Sequence, residues 1–270
     1  MLNHKRLNFN LTQKMKSLTL LITTLCFAVT ITSAQTTKPT TTPTKAQATA
    51  TKPATTPAKP EATQSKTPTS ESIINHYLVK YATAARWNDL DVAKDSLYDL
   101  IIESPVDSLI FSLAYSYYDE QKYLSAALVA QDFLNRNPKN IGFLELAASS
   151  YEQVGASERS LQTYESLYLL TDRISALYKA TFLQYQLKKY VECMTNIDIL
   201  LAKSDLDKNT ATYEDAEKKQ KDYSIRIPLL NLKGLIQQET DKAAAKKTFE
   251  EALALAPDFV QTKENLAKLK

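Results

Sequence analysis

From Ser72 to the end of the chain, apolar residues return every three or four positions, and no stretch alternates apolar and polar as a half-buried strand would. Short polar breaks fall at 86–89, 104–107, 119–122, 136–140, 154–157, 171–174, 187–189 and 239–241. The segments between them are predicted helices of roughly 12–15 residues, and turns this short force successive helices to pack as antiparallel neighbours. One gap is wider. Residues 203–226, "KSDLDKNTATYEDAEKKQKDYSIR", read as an insertion; their charged middle, Ala211 to Tyr223, is expected to be helical and to interrupt the stacking.

The breaks recur with a period. Ala93, Ala126, Ser160, Cys193 and Ala245 form a series of small residues with spacings of 33, 34, 33 and 52. Leu97, Ala130, Tyr164, Ile197 and Phe249 keep the same spacings, as do Pro105, Pro138, Asp172, Asp205 and Pro257. A period near 34 built on paired helices is the mark of a helical solenoid.

These residues resemble the tetratricopeptide repeat (TPR) family, whose unit runs Leu and a small residue, then Tyr, then Ala, an aromatic and a closing Pro. The best match is Leu113-Ala114, Tyr117, Tyr123, Ala126 and Pro138; the next unit has Ala148, Tyr151, Gly155, Ser160 and Tyr164, and the last has Leu232, Gly234, Ala245, Phe249, Ala252 and Pro257. Thr181 stands where a small apolar residue belongs, and the aromatic that usually opens the first helix is replaced by Tyr77, Ile110, Leu144, Leu177 and Leu230. The resemblance implies an all-α, right-handed solenoid of about five helix pairs over 71–270, closed by a capping helix whose outer face carries Gln261, Lys263 and Lys268. It also implies a non-catalytic interaction scaffold, or a structural protein that self-associates through its repeats.

Four tyrosines crowd "LAYSYYDEQKYLSAAL", residues 113–128. Ala114 and Ala126 let two helices approach closely, and Tyr117 and Tyr123 are expected to fill the wedge between units. Tyr115 and Tyr118 are left over. With Phe111 they occupy the first-helix face that the family turns toward its concave groove. The equivalent positions are Glu145, Ser149 and Glu152 in the next unit, then Tyr178, Phe182 and Tyr185. The expectation is a partner groove with two aromatic patches flanking an acidic one, suited to a protein segment carrying Lys or Arg; aromatics covering neighbouring repeats or a self-association surface is the other reading. The Lys/Arg/Asn clamp by which some family members hold peptide C-termini is not implied, because these positions carry Phe, Tyr, Ser and Glu.

Before Ser72 the pattern changes. Residues 35–70 hold no aromatic and no Leu, Ile or Val, repeat "KPTTTPTK" as "KPATTPAK", and place Lys38, Lys45, Lys52, Lys59 and Lys66 seven apart. Such a stretch is expected to be a disordered linker, with a glycosylated stalk or a cationic strip on cell-wall polymer as alternatives. Further upstream, Met15 opens "MKSLTLLITTLCFAVTITSAQ", in which Lys16 precedes an apolar run from Leu18 to Ile31 and small residues follow at Ser33 and Ala34. This order predicts a secretory signal over 1–34 cleaved after Ala34, Met15 being a candidate true start. An uncleaved membrane anchor and a lipid-modified Cys26 are the alternatives. The expected location is therefore exported, periplasmic above all, otherwise secreted or anchored, with membrane contact only through an uncleaved signal.

Charge and chemistry narrow the function. Although the whole chain carries +3, nine of its basic residues precede position 71, which leaves the repeat region mildly acidic and without the basic face that nucleic acid requires. No cofactor or metal is expected: past the signal there is one histidine, His76, and one cysteine, Cys193, the latter at a small-residue packing position. Acid pairs such as Asp89/Asp91 and Asp205/Asp207 stand at helix starts, where carboxylates cap free amides. No glycine-rich phosphate loop and no nucleophile elbow is recognisable.

Overall fold

The computed structural model describes residues 69–269, and within them each polar break separates two helices. The first four pairs are α1 Ser70–Arg86 with α2 Leu90–Glu103, α3 Asp107–Asp119 with α4 Tyr123–Arg136, α5 Ile141–Gln153 with α6 Ser157–Thr171, and α7 Ile174–Gln186 with α8 Tyr190–Leu201. A 3₁₀ turn, Leu206–Lys208, and two strands, β1 Thr210–Glu214 and β2 Gln220–Ser224, precede the fifth pair, α9 Arg226–Gln237 with α10 Lys242–Leu255, and the closing helix α11 Val260–Lys268. The expected signal, its Cys26 alternative and the Thr/Pro/Lys linker up to residue 68 lie outside the described residues.

The turn inside each of the first four pairs has one solution. Asn88, Gln121, Gly155 and Lys188 all take positive φ, and the amide one residue further on reaches back into the last turn: Asp89 to Ala84, Lys122 to Tyr117, Ala156 to Tyr151 and Lys189 to Gln184, at 2.8–2.9 Å. This closure satisfies carbonyls that a helix end leaves free. Only Gly155 adopts it without a side-chain penalty. Helix starts are capped less uniformly: Asp89, Asn140 and Asp241 accept from the amides of Val92, Phe143 and Ala244.

The small-residue series lies where helices touch. Ala126, Ser160, Cys193 and Ala245 are fully buried and Ala93 nearly so, and Ala114, facing Ala126 in the sequence pattern, is fully buried as well. In the last pair a Cβ added at Gly234 would stand 2.6 Å from Cδ1 of Phe249, so the aromatic of α10 fits only against a glycine on α9. Thr181, the polar residue at an apolar place, is also fully buried; its hydroxyl is absorbed by the Leu177 carbonyl at 2.7 Å, as buried polar groups require.

The insertion corrects the helical expectation for 211–223. It is an antiparallel hairpin with Ala211 opposite Tyr223 and Glu214 opposite Gln220. Thr210 and Thr212 face solvent while Ala211 and Tyr223 are buried, an alternation that the density of charges concealed. Its turn is organised by Asp215, whose carboxylate accepts from the amides of Glu217 and Lys219, both at 2.9 Å, with Lys218 at φ 63°. The stack is not interrupted either. Cys193, Ile197 and Leu200 of α8 share one buried cluster with Leu229 and Leu232 of α9.

Candidate partner groove

The stripe on α3 begins with Phe111, which meets Phe143 of α5 edge-on at 5.2 Å between centroids. Phe143 in turn stacks on Phe133 at 3.8 Å. Gly142 makes room for this: Phe111 Cε2 lies 3.3 Å from the point where a Cβ would be. Tyr115 and Tyr118 follow one turn apart, each half-buried and packed against the main core cluster. Burial first and then the Asp119 carboxylate raise the Tyr115 phenol pKa. Burial likewise leads for Tyr118, followed by Tyr123, Glu152 and Tyr115, while the Ser149 hydroxyl pulls the other way.

The expected division into packing and left-over tyrosines does not hold. All four are half-buried. Tyr118 meets Tyr123 edge-on at 5.2 Å, so a residue of each class packs on the other. Tyr117, assigned to the wedge, instead places its hydroxyl 2.7 Å from that of Tyr98 on α2, with Lys94 Nζ 5.7 Å above its ring.

The acidic middle is occupied from within. Glu145 forms an ion pair with Arg173, just ahead of α7. Glu152 accepts from Lys179 Nζ at 2.8 and 3.1 Å and from the buried Tyr164 hydroxyl at 3.0 Å. Ser149 lies 3.4 Å from the same hydroxyl. The acids are thus neutralised by the neighbouring unit, which corrects the idea that they wait for a partner's cation. Arg173 and Lys179 went unnoticed because they lie outside the groove series; the signal was their place 27–28 residues downstream, on the helix that stacks next.

The second aromatic patch is mostly closed. Tyr178 is only 2% exposed, and its hydroxyl lies 3.1 Å from that of Tyr213 on β1. Tyr213 and Tyr223 pack edge-on against Phe259 at 5.2 and 5.1 Å. Tyr223 donates to Asp258 at 3.1 Å, and Lys221 pairs with the same carboxylate. At the hairpin's base, Arg226 grips Asp207 through Nε at 2.9 Å and Nη2 at 3.0 Å. The hairpin therefore ties α7 to the start of α11 and removes Tyr178 from any groove. Phe182 and Tyr185 stay half-buried, Tyr178 and Tyr190 being their ring neighbours at 4.9 and 5.7 Å.

Cys193 Sγ donates to the Thr181 carbonyl at 3.3 Å, and burial pushes its thiol up to about 12, far from the reactive range. His76 is exposed on α1 beside Tyr77. Asp207 belongs to the hairpin anchor rather than to a helix cap. Among the described residues, no group of three His, Cys, Asp or Glu side chains is placed to hold a metal, and no helix is long and apolar enough to cross a membrane.

Paired helices stacked at a recurring spacing, widened once by the hairpin, define a helical-repeat protein of the solenoid class. Solved structures specify which repeat. A tetratricopeptide repeat protein from Parabacteroides merdae ATCC 43184 matches at 21% identity and TM-score 0.51, covering 73% of this chain and 72% of that one. YrrB, described as a TPR protein with an unusual peptide-binding site, matches at 9% identity and TM-score 0.54 over 70% and 89%. MamA matches at 13% and 0.50 over 73% and 96%. The chain has the tetratricopeptide-repeat fold. No protein-family model matches the sequence, and no curated protein matches it significantly.

Proposed function

We propose that this protein is a non-catalytic scaffold, exported to the cell envelope, that holds a partner polypeptide on the first-helix face of its second and third helix pairs. The observation that carries the reading is the half-exposed stripe of Phe111, Tyr115 and Tyr118, left accessible while its counterpart Tyr178 is sealed by the protein's own hairpin. Aromatics of this kind bring a large apolar area and a polar tip to an interface with little rotamer entropy to lose. A peptide-binding site on a protein of the same fold supports the assignment. The charged, apolar and small-residue order of 15–34 supports export.

The test is photo-crosslinking in cells from position 118, with position 261 as control. A distinct foreign polypeptide captured only at 118 is the expected result. Absence of any adduct at 118 beyond the control would overturn the reading. Adducts to the protein itself would replace it with self-association, which Ile102, Leu169 and Val191, each more than three-quarters exposed on the second helices, would serve.

A further inference from the structure

The acids expected to attract a partner are neutralised internally, yet charge is distributed unevenly along the solenoid. Residues 70–121 hold nine acidic and three basic side chains, whereas 122–270 hold twenty and twenty-one. The repeat region's net negative charge therefore lies wholly in its first three helices. Part of it is used locally: Lys80 pairs with Asp95 and Asp99, and Lys94 and Lys122 both pair with Glu120.

Two acids on α3 are placed differently. Asp107, Phe111, Tyr115 and Asp119 follow one another at intervals of four, which makes each the neighbour of the next in a row that winds about a third of the way round the helix. Asp119 stands one helical turn beyond Tyr115 and so adjoins the aromatic stripe. Both acids are exposed, and among the described residues no ion pair takes either one. One unit earlier, the equivalent places on α1 carry Leu78, Ala82 and Ala85, all exposed, so the apolar surface continues toward the start of the solenoid. The α3 face is thus an apolar strip with an anionic group at each end. Twelve residues of helix place those ends ~18 Å apart, the span of about five or six residues of extended chain.

Resting on the groove reading above, we propose that the occupant of this strip is an extended apolar polypeptide segment bearing a Lys or Arg at each end, seated on Asp107 and Asp119. Like charges directly opposite these acids would be repelled, so the pair selects partners by sign as well as attracting them. Tyr115 and Phe111 receive the apolar middle, and the Tyr115 ring face also suits a lysine stem.

The probes are three fluorescein-labelled peptides of six residues, valine and leucine within and lysine, glutamine or glutamate at both ends, titrated against the full chain by fluorescence anisotropy. The lysine peptide should bind at least tenfold more tightly than the glutamate peptide, with an affinity that falls as salt rises. Asp107→Asn combined with Asp119→Asn should reduce it to the level of the glutamine peptide, with the circular dichroism and melting temperature of the parent. Tyr115→Ala should weaken all three alike. Equal affinity for the three peptides, or a lysine preference that survives the double substitution, would overturn the charge assignment and leave the groove standing. Failure of every peptide to bind would overturn it too, and the crosslink from position 118 decides whether the groove falls with it.

Discussion

Phe111, Tyr115 and Tyr118 on α3 and Tyr178, Phe182 and Tyr185 on α7 occupy the same places in units two apart, with nearly the same side chains, and they end differently. The first set is half-exposed. The second loses Tyr178 to the interior because an insertion between α8 and α9 returns over it and supplies Tyr213 as its partner. Equivalence in a repeat thus fixes where a side chain points but not whether it meets solvent or protein. Whichever unit lacks the hairpin keeps its aromatics for other uses.

The sharpest way to break this comparison is Tyr213→Ala. Tyr213 is itself only partly buried, but it holds the buried Tyr178 hydroxyl and packs on Phe259, so urea unfolding should show a loss of about 2–4 kcal/mol, and cysteine labelling at a Tyr178→Cys position should become fast. Tyr115→Ala should cost distinctly less, because no hydrogen bond or ring pair among the described residues ties that half-buried side chain to a buried partner as Tyr213 is tied to Tyr178. Equal losses from the two substitutions would erase the difference between the patches.

Acid should act on the second region selectively. The Arg226 guanidinium holds the Asp207 carboxyl below the ordinary carboxylate value, and Lys221 does the same to Asp258. Carboxylates with folded values so depressed contribute fully above the unfolded value near 4 and lose their contribution as pH falls through the folded one. Hydrogen exchange, corrected for intrinsic rates, should therefore show the amides of 210–224 losing protection at pH 3 relative to pH 6 before those of 141–153. The reverse order would remove these ion pairs from the hairpin's anchoring.

Smaller effects refine the picture. Tyr178→Phe leaves the Tyr213 hydroxyl without its partner and should cost about 1 kcal/mol, whereas Tyr115→Phe should stay within about 0.5 kcal/mol of the parent. Gln121→Gly and Lys188→Gly, one in each region, should each stabilise by about 0.5–1 kcal/mol, because the left-handed turn penalises any side chain. Equal gains at the two sites would show that the regions differ in their cover and not in their helical frame.

The helical frame was almost wholly legible. All eight polar breaks became turns, and the series through Ala126 and Ala130 became buried contacts, because a small-residue requirement at a helix crossing leaves a direct trace in the sequence. The left-handed turns left a weaker trace, since Asn88, Gln121 and Lys188 hold a conformation for which glycine is the usual sign. The hairpin was missed because its strands carry their alternation among ten charged residues from Asp205 to Asp222, and a helix accommodates such charges equally well. Of the candidate site, the α3 stripe was readable from spacing. The fates of Glu145, Glu152 and Tyr178 were not, because Arg173, Lys179 and Tyr213 reach them from a neighbouring unit or from outside the repeat pattern altogether.

The hairpin also has a mechanical meaning. A stack in which each unit touches only its neighbours lengthens under load by parting those neighbours in turn, like the coils of a spring. Here Tyr213 joins α7 to Phe259 ahead of α11, so the coils from the fourth pair to the end are strapped together across two junctions. Under a pull along the solenoid, the opening three pairs, which no such strap crosses, are expected to part before the strapped ones, so tension would reach the stretch that carries Tyr115 and Tyr118 first.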